Sequence, residues 1–85
     1  MVKPLYTTMT DTVEVLVATV NAGEWQLVYV DGELEKYAER VNPEDIQDVT
    51  EDVLIESIQE DYRIGDVDPY DAPETYEELC EVTKD

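Results

Sequence analysis

The chain has 85 residues and a formal net charge of −18, from 23 Asp or Glu against 5 Lys or Arg with no His. That load lies far beyond the magnitude of about 2–8 that keeps a small domain in solution, and it disfavours direct contact with nucleic acid or with anionic membranes. A content of 42% apolar residues, with six Tyr, one Trp and no Phe, excludes a wholly disordered acidic chain and points to one small domain with a marginal core.

The lone Cys80 cannot form an internal disulfide, which fits a reducing cytoplasm. No apolar run reaches the length of a membrane span, and the N-terminus lacks the charged-then-apolar form of a signal peptide. The expected location is therefore the cytoplasm, that of a host cell if the chain is viral.

Residues 1–11 read as an irregular lead-in, with Leu5 and Tyr6 as candidates to tuck against the body. Residues 12–20 (TVEVLVATV) are the clearest strand, dense in β-branched residues that alternate between two faces. The sequence Asn21-Ala22-Gly23-Glu24 supplies a turn. Residues 25–30 (WQLVYV) alternate again, so the two segments predict an antiparallel β-hairpin.

Residues 33–41 admit two readings. The pair Asp31-Gly32 could turn the chain into a third strand. Leu34, Tyr37, Ala38 and Val41 fall at helical spacing among strong helix formers, and the short helix is the preferred reading.

The sequence Asn42-Pro43-Glu44-Asp45 is a helix start: Asn caps, Pro takes the first helical position, and two acids complement the dipole. The apolar stripe then shifts. Ile46, Val49 and Val53 share one face, and Leu54, Ile58 and Tyr62 another. This predicts a break near Thr50, with a short helix before it and a longer one to Tyr62. A strand at Val53-Leu54-Ile55 is the alternative. Gly65 ends the region, and residues 66–73, with two prolines, form a loop. Asp71-x-x-Glu74 resembles a capping box that opens a last helix with Tyr76, Leu79 and Cys80 inward. The predicted fold is α+β: an N-terminal antiparallel hairpin of two or three strands (the scaffold, 12–41) packed by short acidic helices (42–85).

The charge is uneven. Residues 1–41 hold seven acids against Lys3, Lys36 and Arg40, a net of −4, whereas residues 42–85 hold sixteen against Arg63 and Lys84, a net of −14. The candidate partner-binding residues are Glu44, Asp45, Asp48, Glu51, Asp52, Glu56, Glu60, Asp61, Glu74, Glu77 and Glu78, with Glu81 continuing the array. Many recur at three- and four-residue spacing, where like charges destabilise a helix by about 0.2–0.5 kcal/mol a pair. Folding alone does not favour such an array, so a functional gain is expected. Carboxylates one helical turn apart sit about 5–6 Å from each other, near the spacing of successive phosphates, and a rigid acidic face could fill a Lys/Arg-lined nucleic-acid channel. In size and in its concentration of carboxylates the chain is similar to small phage- or mobile-element-encoded DNA-mimic inhibitors, a resemblance of composition only. It implies a non-enzymatic inhibitor or regulator whose partner is a basic nucleic-acid-binding protein.

The bland counterpart is adaptation to high salt, in which the acids are a solvated coat of a halophilic accessory domain. Concentration of charge in the second half argues against an even coat. Asp66-x-Asp68 with Glu77 resembles part of a calcium loop, but Tyr70, Asp71 and two prolines interrupt the pattern, so no metal or other cofactor is expected. With no His, no nucleophile motif and no Gly-rich phosphate loop, no catalytic residue is assigned. Tyr29 and Tyr37 are expected in the core and Tyr70 exposed as a contact residue, since Tyr is favoured at interface hot spots. Cys80 reads as a small buried apolar residue. An exposed sheet edge would also allow a homodimer.

Overall fold

The computed structural model describes residues 12–51 and 53–84. The expected lead-in, with Leu5 and Tyr6, and the candidate Asp52 lie outside the described residues.

Strands β1 (Thr12–Val20) and β2 (Trp25–Val30) pair antiparallel, with Leu16 opposite Tyr29 and Ala18 opposite Leu27. The connection runs through Asn21, Ala22 and Gly23, all at positive φ, a conformation that Asn and Gly accept at low cost. The next turn is Asp31-Gly32, with φ of 51° and 85°. Positive φ at both central residues is the geometry of the two-residue turn that matches strand twist. It delivers the chain into β3 (Glu33–Ala38), antiparallel to β2. The preferred helix over 33–41 is thus corrected: the turn chemistry of Asp31-Gly32 prevails over the helical spacing that follows it.

Asn42 caps helix α1 (Pro43–Val49) as its sequence predicts. Its side chain accepts from the Asp45 amide, and the Asp45 carboxylate accepts from the Asn42 amide. The helix stops at Thr50, whose hydroxyl donates to the Ile46 carbonyl at 2.7 Å. The expected second helix to Tyr62 does not form. Residues Leu54–Tyr62 are strand β4, which runs parallel to β1. The result is a four-stranded mixed sheet in the order β3-β2-β1-β4. The alternative strand at Val53-Leu54-Ile55 overlaps β4, so the acidic half contributes a strand to the sheet in place of the preferred second helix.

Register sorts the side chains. Leu16, Ala18 and Val20 share one face with Tyr29, Leu27 and Trp25. Val67 and Leu79 close over this face to make the core, with Tyr76 and Ala72 packed against it. Leu79 belongs to the last helix, α2 (Tyr76–Val82). Its cap is Thr75, which accepts from the Glu78 amide at 3.2 Å. The expected cap, Asp71, instead ends a 3-10 turn over Pro69–Asp71. Val15, Val17 and Val28 occupy the opposite face of the sheet, where α1 lies, tied to β3 by Lys36 with Asp45 at 2.8 Å and Asp48 at 3.5 Å. Two layers therefore flank the sheet, and the α+β class holds.

Two polar contacts fix the C-terminal layer. Arg63, buried at the end of β4, donates to the Thr83 hydroxyl at 3.0 Å and carbonyl at 3.3 Å and to Asp61 at 3.3 Å. Tyr29 is fully buried in the core, and its hydroxyl donates to the Pro73 carbonyl at 2.9 Å. Burial, with Glu78 and Cys80 nearby, pushes the Tyr29 hydroxyl up to about 12.

Candidate functional site

The structure divides the predicted acidic array among three elements. Glu44, Asp45 and Asp48 lie on α1, with Glu51 in the turn that follows. Glu56, Glu60 and Asp61 lie on β4, and Glu77, Glu78 and Glu81 on α2, with Glu74 just before it. The two helices cover opposite faces of the sheet, so no single helix face gathers the set. Within α1, Glu44 and Asp48 keep one-turn spacing, as do Glu77 and Glu81 within α2. Glu60 and Asp61, adjacent on a strand, point to opposite faces.

Two of the candidates are occupied structurally. Asp45 is held by Lys36 and by the capping box, and its carboxyl is lowered, first by the Lys36 hydrogen bond and then by the Asn42 amide. The same pair raises Lys36, chiefly through its bond to Asp45. Asp61 takes the Arg63 guanidinium and accepts a hydrogen bond from the Tyr76 hydroxyl. Burial and then that bond raise the Tyr76 hydroxyl above its ordinary range. Among the described residues, cations reach only Asp45, Asp48 and Asp61. The exposed carboxylates of Glu44, Glu51, Glu56, Glu60, Glu74, Glu77 and Glu78 have none.

Tyr70 is 76% exposed. It packs edge-on against Trp25 and Tyr37, with ring centroids 6.2 and 5.5 Å away. Tyr37 was expected in the core but is 41% exposed, because it belongs to a strand at the sheet's edge. The two tyrosines border a shallow cleft of about 460 Å³ that Glu33, Glu35, Asp71 and Glu74 also line.

Sequence reasoning missed one concave feature. Between α1 and β4 runs an open groove of about 730 Å³, floored by Val17, Ile46, Val53, Ile55 and Ile58 and flanked by Glu51 and Glu60. Ile58 is 52% exposed and Ile55 38%, and register places both on the sheet face that carries α1, an exposed apolar pair of the kind that marks interaction surfaces. The signal lies in the apolar residues of 53–58, for which the sequence offers a helix stripe and, over Val53-Leu54-Ile55, a strand.

Among the described residues no group of three or more His, Cys, Asp or Glu could hold a metal ion, and Asp66, Asp68 and Glu77 do not converge on one. No described helix is long and apolar enough to cross a membrane. No protein-family model, no curated protein and no solved structure matches the chain.

Proposed function

We propose that this chain is a non-enzymatic acidic interaction protein, an inhibitor or regulator that occupies the Lys/Arg-rich surface of a nucleic-acid-binding protein. One observation carries the reading: exposed carboxylates on α1, β4 and α2 that no cation among the described residues neutralises. Each adds repulsion that opposes the compact state, and a basic partner would convert that cost into fast, salt-sensitive attraction. The partner would meet a charged surface wrapped round the domain in place of one helical ladder of phosphate mimics.

A second reading has its own observation. Exposed acids also cover the scaffold, at Glu14, Glu24, Glu33, Glu35 and Glu39, as a salt-adapted coat would. Thermal unfolding from about 0.05 to 3 M salt separates the two, because the Debye length falls over that range from more than 10 Å to below 3 Å. A cooperative transition well above ambient temperature at the lowest salt supports the basic-partner reading. A chain that folds only in molar salt would sink it in favour of the coat.

A further inference from the structure

Among the described residues the sheet has two edges, β3 and β4, and they differ. At β3 the backbone is already engaged: the Leu34 amide donates to the Glu74 carbonyl at 2.7 Å, and Glu33 bridges to Thr75. Along β4 no described residue bonds the outer backbone. The orientation of that backbone follows from its end. The Arg63 amide donates to Thr19 of β1, whereas both polar groups of Ile64 turn outward, to Lys84. Alternation then turns the N–H and C=O of Ile58, Glu60 and Tyr62 outward too. Register places the side chains of these three residues on the sheet face that carries α1 and the apolar groove.

A long edge strand with exposed apolar residues is a template for pairing with another chain. A second copy of this chain is a poor occupant. Antiparallel pairing centred on Glu60 sets Glu60 against itself, and pairing centred on Ile58 sets Glu60 against Glu56. Like charges directly opposite are destabilising, and each copy brings a net charge of −18.

We infer that the β4 edge is the receptor for an extended, basic segment of the partner protein, which adds a fifth strand with an apolar-x-basic-x-apolar pattern. Its basic side chain faces Glu60, and its two apolar side chains cover Ile58 in the groove and Tyr62 on the same face of the sheet. Backbone bonds to Ile58, Glu60 and Tyr62 supply affinity, and the alternation supplies selectivity. The inference rests on the basic-partner reading and names how that partner is held.

The test uses the full chain with two short peptides of equal composition and charge, one carrying Val-Thr-Arg-Thr-Val and the other Val-Val-Arg-Thr-Thr. At low salt the alternating peptide binds about tenfold tighter, the equivalent of two or three good cross-strand pairs. It also slows amide hydrogen exchange at Ile58, Glu60 and Tyr62. Glu60→Lys, at an exposed unpaired site, reverses the preference towards Val-Thr-Glu-Thr-Val. Equal binding of the two isomers with no protection of those three amides overturns the edge inference and leaves the basic-partner reading standing. If neither peptide, nor polylysine, binds at low salt, both fall.

Discussion

The side chain of Asn21 satisfies both backbone polar groups of Val67. Its amide nitrogen donates to the Val67 carbonyl at 2.6 Å, and its oxygen accepts from the Val67 amide at 2.5 Å. The residue that turns β1 into β2 thus also holds the segment that closes over the core, since Val67 is buried there. Its backbone amide adds a bond to the Gly65 carbonyl at 3.2 Å. Replacing Asn21 by Ala leaves two part-buried backbone groups without this partner, at a cost of about 2–3 kcal/mol. In a domain of this size that lowers the melting temperature by roughly 10–20 °C. Asn21→Gly separates the causes, because Gly accepts the positive φ of 55° but brings no amide. Calorimetry should find the Gly variant nearly as unstable as the Ala one. Full recovery with Gly would show that the backbone conformation, and not the paired amide, sets the stability.

Alkaline pH should unfold the domain through two tyrosines in contact. The rings of Tyr29 and Tyr76 meet edge-to-face with centroids 5.8 Å apart, and both hydroxyls are raised, Tyr29 to about 12. A folded value above the ordinary one of about 10 means that the protonated forms stabilise the fold. That stability is complete below about pH 10 and drains away as pH climbs through the folded values. Melting temperature followed upward from about pH 9 should fall across this window. Tyr29→Phe keeps the ring contact and loses the Pro73 bond. It should start lower by about 1 kcal/mol and fall less steeply. An unchanged slope in Tyr29→Phe would rule out the buried hydroxyl as its source.

Each of the two strands that the sequence suggested as helices carries an extra residue. It accounts for the helical spacing in β3, whereas the four-residue step from Ile58 to Tyr62 in β4 is one that a period of two also produces. In β4 the register against β1 slips between Val13 and Glu14, so that Glu56 has no partner. Ile55 and Ile58, three apart, thereby land on the same face. In β3 the slip lies opposite Val28 and Tyr29, with Glu35 as the extra residue, and Leu34 and Tyr37 share a face for the same reason. A bulge converts the period of two into a spacing of three, which reads as helix. The uninterrupted alternation of 12–20 and 25–30 left no such ambiguity, and the strands there have the bounds that the pattern set. The Asn42 cap was legible because its chemistry is local. The split of the acids between two layers was not, because it depends on where β4 docks in the sheet.

Repulsion among carboxylates should be measurable where several share one concavity. Glu33, Glu35, Asp71 and Glu74 line the cleft beside Tyr37 and Tyr70, and none of the four is in an ion pair with a described residue. Glu35 and Asp71 are both exposed, so Glu35→Gln and Asp71→Asn remove charge without opening a cavity. The double variant should melt higher than the parent at low salt, by roughly a few tenths of a kcal/mol per site, the scale of exposed charge interactions. The increment should vanish near 1 M salt, where the Debye length is about 3 Å and the parent's own repulsion is already screened. A gain that persists in molar salt would assign the effect to packing or hydrogen bonding. No gain at low salt would mean that the fold already tolerates its carboxylates here, so that no stability is sacrificed in keeping them.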